Sequence, residues 1–389
     1  NEKNTTRARA NILREIITNP KTANPFNDKD IYEVLDLCLL CKACKSECPS
    51  GVDVAKLKME FLQHYYDANH IPIRAFAVGI LPRIHKLGAG FPNFVNFFLK
   101  NSFTSSIIKK IINFHNDRDF PLMSRINLKK WSVKNLAKFK NDNPQKTIYL
   151  FNDEFTNYLE SDIGIVAIKF FGKLGYDVKL LKTLESGRTW LSKGLIRKAQ
   201  KIANKNIEIC KNYISPDSPL IGIEPSAILS FRDEYPDLAY DKNREFATKL
   251  AANTMLFDEF ISKEISLGNI NSEMFTTDYK EILFHGHCQQ KSLITTKYTK
   301  KILNLPKNYK VEEIPSGCCG MAGSFGYEKE HYELSMKIGE LVLFPSIRNA
   351  AKNTIISAVG TSCRCQIKDG TNVDALHPLE ILYDALIDK

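Results

Sequence analysis

Cys38, Cys41, Cys44 and Cys48, followed by Pro49, spell C-x2-C-x2-C-x3-C-P. A tight turn with this spacing brings thiolates together onto iron, and it is one of the runs that ligate [4Fe–4S] clusters. Three cysteines so closely spaced reach a single cubane, and the fourth, just before a proline, points to a second. A structural zinc site would pair two C-x2-C units across a long loop, and three thiols packed this tightly suit disulfides poorly. The residues therefore predict electron transfer.

A second set of cysteines lies near the carboxyl end. His285-Gly-His287-Cys288, Cys318-Cys319-Gly320 and Cys363-Arg-Cys365 each follow a β-branched run. Adjacent cysteines such as Cys318 and Cys319 make an awkward disulfide but are well placed to ligate a polynuclear metal centre. Gly317, Gly320, Gly323 and Gly326 recur around them at every third residue. Such glycines let backbone approach a cofactor and free N–H groups for hydrogen bonds to sulfur. The spacing is neither a P-loop nor G-x-G-x-x-G. His285 and His287 are each read as a ligand, a proton relay or a residue supporting the ligands from behind. His377, before Pro378, and the lone Cys210 read as structural. No Ser-His-Asp arrangement is visible.

The elements that must position these residues fall into four stretches. Residues 1–70 predict a small all-α ferredoxin-type domain. A helix over 5–18 is followed by one capped by Asn27 with Ile31, Val34, Leu35 and Cys38 on one face. After the cysteine turn comes a helix with Val54, Leu57, Phe61 and Tyr65 in its apolar row. Residues 71–146 are apolar, aromatic and basic, broken by prolines into short amphipathic helices such as Ser105–Phe114. Packing between the cluster domain and the next is the favoured reading for them, over contact with a membrane surface. From Thr147 short β-branched runs alternate with helical stretches, at Thr147–Phe151, Val178–Leu181, Leu220–Ile223, Ile282–Phe284, Val311–Ile314 and Thr354–Val359, which argues for parallel sheets covered by helices. Phe151 precedes Val178 by 27 positions and Gly187 by 36, as Phe284 precedes Val311 and Gly320. Two pseudo-symmetric α/β units are expected, at 147–270 and 271–389, the first carrying Asn152, Glu154, Phe155, Glu185-Ser186-Gly187 and Glu224-Pro-Ser226 where the second carries its thiols.

The 389 residues suffice for two or three domains. Hydrophobic content of 43% and charged content of 25% are ordinary for a soluble protein. Ten cysteines, mostly in clustered motifs, read as metal ligands in a reducing compartment. The net charge of +10 is spread without a dense run, and no nucleic-acid motif accompanies it. The uncharged stretch Leu87–Leu99 has 13 residues, short of the roughly 20 a membrane span needs. No signal peptide is read at the start. The chain opens at Asn1 in helix-like sequence and is expected to be part of a longer polypeptide, in the cytoplasm or at the inner face of the membrane.

In Cys38-Leu-Leu-Cys-Lys-Ala-Cys-Lys-Ser-Glu-Cys-Pro49, His285-Gly-His-Cys288, Gly317-Cys-Cys-Gly-Met-Ala-Gly-Ser-Phe-Gly326 and Ser362-Cys-Arg364, the chain resembles the CCG, or cysteine-rich, domain family. That family includes the iron–sulfur subunit of glycolate oxidase, the small subunit of anaerobic glycerol-3-phosphate dehydrogenase and one of the subunits of heterodisulfide reductase. The resemblance spans nearly the whole chain and is nearest to the carboxyl half of large FAD-linked oxidases. It implies the iron–sulfur portion of a D-lactate, glycolate or D-2-hydroxyglutarate dehydrogenase-like enzyme. Electrons would pass from FAD on a domain or subunit preceding Asn1 to a quinone or another acceptor. It further implies that Cys48 ligates a cluster built mainly by an upstream cysteine run, and that Cys288, Cys318, Cys319 and Cys363 form a four-ligand set. The first unit lacks cysteines, so one such centre is expected. The second departs from the family's final C-x2-C: Gly360 occupies the first of those positions and Cys365 is out of register. Two other functions compete with this one. One is thiol–disulfide chemistry of the heterodisulfide reductase kind at the second set, and the other is a zinc module without redox activity.

Overall fold

The computed structural model describes residues 5–20 and 23–387. Its amino-terminal helices build a platform for the cysteine turn. Thr6–Thr18 comes first, capped by Thr5, whose side chain accepts from Ala8 N at 3.2 Å. Lys29–Asp36 is capped by Asp28 rather than the expected Asn27, with Asp28 Oδ1 accepting from Asp30 N at 2.9 Å and Ile31 N at 3.2 Å. A carboxylate both bonds the free N–H groups and complements the positive end of the helix. In Val54–Ala68 the buried side is wider than the predicted row. It includes Ala55, Met59, Leu62 and Tyr66, while Leu57 is 39% exposed and Tyr65 only half-buried. This helix packs against both Thr6–Thr18 and the later helix Ile196–Cys210, so two adjoining rows are covered.

Short helices follow at Ile73–Gly79, Leu81–Gly88, Pro92–Lys100, Ser102–Ile111 and Leu128–Asn135. The expected helix at 105–114 begins three residues earlier because Asn101 caps it, Oδ1 accepting from Phe103 N and Thr104 N at 3.1 and 3.2 Å. The expectation that these helices pack between their neighbours holds for one side only. Their outer rows, among them Leu87, Phe94, Phe97, Phe103 and Ile111, stay exposed. No helix among the described residues is long and apolar enough to cross a membrane.

The rest of the chain is α/β. Strands β1 (Thr147–Leu150), β2 (Asp177–Leu180), β3 (Leu220–Gly222) and β4 (Thr254–Leu256) form a parallel sheet in the order β2-β1-β3-β4. Strands β5 (Lys280–His285), β6 (Tyr309–Glu313) and β7 (Ile355–Ala358) form a second parallel sheet in the order β6-β5-β7. The order β2-β1-β3 of the first sheet matches β6-β5-β7 of the second. β4, which the sequence did not signal, corresponds to a single parallel bridge from Ser357 to Leu376. The helices interlock reciprocally. Ser161–Lys173, which follows β1, packs on the carboxyl-terminal helix Pro378–Asp384, and Lys297–Leu303, which follows β5, packs on Phe257–Ser266. One apolar core runs from Leu13 to Ala385, and a smaller one surrounds Ile314, Cys319, Phe344 and Cys363. The molecule is thus mixed α/β, with two small parallel sheets and many helices.

Candidate metal centre

The second set of cysteines converges at the carboxyl ends of β5, β6 and β7. Cys288 opens helix Cys288–Leu293, three residues past the end of β5, Cys318 and Cys319 lie in the loop after β6, and Cys363 sits in the first turn of helix Thr361–Thr371 after β7. Parallel sheets collect ligands at this edge because every strand there gives way to a loop. The four thiols adjoin one another in series, Cys288 beside Cys318, Cys318 beside Cys319 and Cys319 beside Cys363. In Cys288 the neighbouring Cys318 thiol, followed by burial, raises the thiol well above its usual value. In the other three, one neighbouring thiol works downward, but further thiols and burial leave each raised. Four neighbouring sulfurs, Cys319 and Cys363 buried and Cys288 and Cys318 half-buried, disfavour the thiolate in the absence of a cation.

His285 completes the group. Fully buried at the end of β5, it offers a ring nitrogen, and this atom and the sulfurs of Cys319 and Cys363 all lie within 4.8 Å of one another. Its Nδ1 is 2.7 Å from Ser316 Oγ, while Nε2 is buried with no hydrogen-bond partner. Burial, then Lys291 and His287, push it down to about 3, so the imidazole is neutral, as a ligand must be. Three thiols or more and an orphaned imidazole nitrogen fit a soft transition metal or an iron–sulfur group. Gly320 serves the same sulfurs. Its N–H donates to Cys318 Sγ at 3.4 Å, its φ is +98°, and a Cβ there would meet Ser335 O at 2.3 Å. His287 does different work, its Nδ1 accepting from Gln289 N at 3.3 Å to cap the helix that carries Cys288. Cys365 packs against the smaller core, and burial pushes its thiol up to about 12. His377 caps the last helix and Cys210 lies in the core.

The first run, Cys38 to Cys48, turns through two left-handed non-glycine residues, Leu40 (φ 54°) and Lys42 (φ 62°), before the short helix Ala43–Glu47. Each costs on the order of 1 kcal/mol, so the surroundings must hold them. Lys42 is buried, and its Nζ pairs with Asp233, with Glu234 at 2.8 Å and with Asp53 at 3.5 Å. Lys45 pairs with Asp233, Lys56 donates to Asp237 at 2.7 Å, and Arg188 holds Glu234 at 2.8 Å. Lys58 donates to Asp36 O and Cys38 O at 3.1 and 2.9 Å. Nothing in the sequence marked Lys42 or the Asp233-Glu234 pair, since lysines are frequent throughout and the partners lie some 190 positions apart.

The two cysteine sets meet. Helix Cys288–Leu293 packs on Ala43–Glu47, Ser292 Oγ donates to Cys41 O at 3.0 Å and Gln289 Nε2 to Leu40 O at 3.3 Å. Burial, then the neighbouring Cys288, and to a lesser degree Cys38 and Cys44, push the Cys41 thiol up to about 11. Cys48 contrasts with them: N–H groups of Val52 and Ser50 bond its sulfur and lower its pKa. In the first α/β unit the corresponding loops are closed by carboxylates. Glu154 accepts from Ser186 N and Oγ at 2.8 and 2.7 Å, and Glu224 accepts from Ser226 Oγ at 2.7 Å and Thr361 N at 2.8 Å.

No protein-family model matches the chain. It is similar to D-2-hydroxyglutarate dehydrogenase of Escherichia coli (strain K12), 26% identical over 367 residues that cover 92% of this chain and 35% of that protein. The corresponding enzyme of Pseudomonas putida (strain KT2440) is 24% identical over 365 residues, 91% of this chain and 34% of the relative. A component of the anaerobic glycerol-3-phosphate dehydrogenase of Escherichia coli (strain K12), named as one of its subunits, is 24% identical over 380 residues, covering 94% of this chain and 92% of that relative. The chain spans about a third of the length of the first two relatives and nearly all of the third. All three are named as dehydrogenases or a part of one, so the chain is similar to oxidoreductases and to their components.

Proposed function

We propose that this chain is the iron–sulfur electron-transfer portion of an FAD-linked 2-hydroxyacid dehydrogenase, taking electrons from a reduced flavin partner and passing them to a quinone or another acceptor. The observation that carries the reading is the contact between the two cysteine sets, with Cys41 beside Cys288. A ferredoxin-type turn set against a second thiol group is a layout for relay. Cys38, Cys41 and Cys44 would hold one [4Fe–4S] cluster. Cys48, with its lowered pKa, would serve a neighbouring one. Cys288, Cys318, Cys319 and Cys363, with His285 adjoining, would hold the second centre. Thiolate-held iron–sulfur groups, when bound, accept and release single electrons at potentials set by charge, hydrogen bonds and burial. The chain's own residues supply those settings. Gly320 N–H donates to sulfur, Lys58 places a buried ammonium at Cys38 O, and the Lys42 network fixes the turn. The length of the D-2-hydroxyglutarate dehydrogenases beyond the matched region leaves room for a flavin domain and its substrate site.

The raised thiols, with Cys319 and Cys363 buried, weigh against disulfide exchange, whose nucleophile is an accessible thiolate. The test is anaerobic purification with iron and inorganic sulfide analysis, followed by mixing with the reduced flavin-bearing dehydrogenase. Bleaching of the visible iron–sulfur absorbance is expected. Cys44→Ala and Cys319→Ala should each remove a different part of the iron. Zinc in place of iron, or full iron loading without any reduction by the flavoprotein, would sink the proposal.

A further inference from the structure

Three consecutive helices expose apolar rows, and in the last of them the amphipathicity is inside out. In Ser102–Ile111 the buried residues are Ser105 and Lys109, at 5% and 6% exposure, whereas Phe103, Ile107 and Ile111, four residues apart, face outward, Phe103 at 73%. Lys109 reaches inward to donate to Asn116 O at 2.8 Å. In Pro92–Lys100 nothing is buried, and Phe94, Phe97 and Phe98 form an exposed aromatic row with ring contacts of 4.8 Å (Phe94–Phe98) and 5.6 Å (Phe97–Phe98). In Leu81–Gly88 the exposed positions include Ile84 and Leu87, the latter at 81%. An ordinary surface helix turns such rows into the core. Contiguous apolar surface of this kind marks a surface that is covered in use.

Charge selects what covers it. Between Asp67 and Asp117 the sequence contains no aspartate or glutamate, while Arg83, Lys86, Lys100 and Lys110 are exposed on the same helices. Lys86, Lys100 and Lys110 make no ion pair among the described residues. Beside Pro92–Lys100 opens a groove of about 580 Å³ whose lining includes Phe97, Leu122 and Ile126 together with Lys100, Arg125 and one acidic residue, Asp162. Apolar rows flanked by unpaired cations, on helices that carry no acidic residue of their own, are the pattern of helices that lie in the interface of an anionic bilayer.

We propose that residues 81–111 form a peripheral docking surface for an anionic lipid membrane, with Leu87, Phe94, Phe97, Phe103 and Ile111 entering the headgroup–acyl boundary and Lys86, Lys100 and Lys110 meeting lipid phosphate. This inference stands apart from the redox reading, because it uses none of the cysteines. The test is co-sedimentation of the full chain with vesicles of phosphatidylglycerol and phosphatidylcholine, and with phosphatidylcholine alone. Binding to the anionic vesicles is expected, weakened by salt and at least tenfold weaker on neutral ones. The triple variant Leu87→Asn/Phe94→Asn/Phe103→Asn and the charge variant Lys86→Glu/Lys100→Glu/Lys110→Glu should each lose at least tenfold on the anionic vesicles. Circular dichroism and the thermal midpoint should match the parent chain, because every altered side chain is already in solvent. No binding to anionic vesicles by the parent chain overturns the proposal, as does undiminished binding of the triple variant. A parent-chain dimer that the triple variant abolishes would also overturn it, since a second copy would then be what covers the face.

Discussion

Lys42 carries a heavy electrostatic load in the cysteine turn. Its ammonium is buried among Asp53, Asp233 and Glu234, and its backbone is left-handed. Removing one partner of a buried cluster leaves the others desolvated and unpaired, which costs about 3–5 kcal/mol. Lys42→Met is therefore expected to lower the unfolding free energy by that amount in urea titrations. Lys45→Met, whose side chain is 35% exposed, should lose at most about 1 kcal/mol. Equal losses for the two would refute the buried role. The same cluster sets an acid limit. Burial alone would raise the Asp233 carboxyl, but Lys42, Lys45 and Lys56 hold it well below the usual carboxylate range. A depressed carboxyl stabilises the fold above its unfolded value of about 3.9 and loses that contribution as pH falls further. Wild-type stability should decline on acidification below about pH 4, and Lys42→Met should show a smaller decline. At this scale the two cysteine sets were legible because their spacing is a local property of the chain. The Lys42 network was not, because its partners come together only through the tertiary fold.

Among the elements, helix Lys29–Asp36 leads into the cysteine turn, and His331 joins it to the loop after β6. His331 Nε2 lies 2.9 Å from Asp36 Oδ2 and Nδ1 lies 3.0 Å from Glu328 Oε2, while its ring stacks on Phe325 at 4.1 Å. Burial opposes the charged ring, yet the bonds to Asp36 and Glu328 push it up to about 9. Lys193 and Arg74 also face Glu328. A histidine raised in the folded state contributes fully below its unfolded value of about 6.5, and that contribution is lost as pH rises through the folded one. Stability should therefore fall by up to about 3 kcal/mol between about pH 6.5 and 9.5, and His331→Gln should flatten the profile. A thermal midpoint with the same alkaline slope in wild type and variant would refute the bridge. Strands and helices were legible from β-branched runs and from i, i+3, i+4 patterns. β4 was missed because three residues carry no period. The outward rows of residues 81–111 were read as packing surface because periodicity shows that a helix is two-sided, without showing which side meets the protein.

Across the whole molecule, one of the close approaches that tie the middle helices to the first α/β unit lies at Gly79. Gly79, at the end of Ile73–Gly79, lies under Trp190, where a Cβ would stand 2.4 Å from the indole ring. Trp190 is buried and receives Phe76 edge-on at 6.3 Å. The sequence offered the equal spacing of the two α/β units, which their strand orders match, but not this joint, because a lone glycine in an apolar stretch carries no signal of what it touches. The apolar core runs without interruption from Leu13 past Trp190 to Ala385, so helices and sheets share one interior. A shared interior unfolds as a unit, whereas separable domains give separate transitions. Gly79→Ala forces the indole or the helix to shift, at about 1–3 kcal/mol for overpacking. In a Trp131→Phe background, where Trp190 alone reports, its fluorescence and the far-UV circular dichroism should melt together in urea, and Gly79→Ala should move both midpoints down by the same amount. If the fluorescence midpoint falls while the dichroism midpoint stays, the joint is local, and the amino-terminal helices fold apart from the α/β body they rest on.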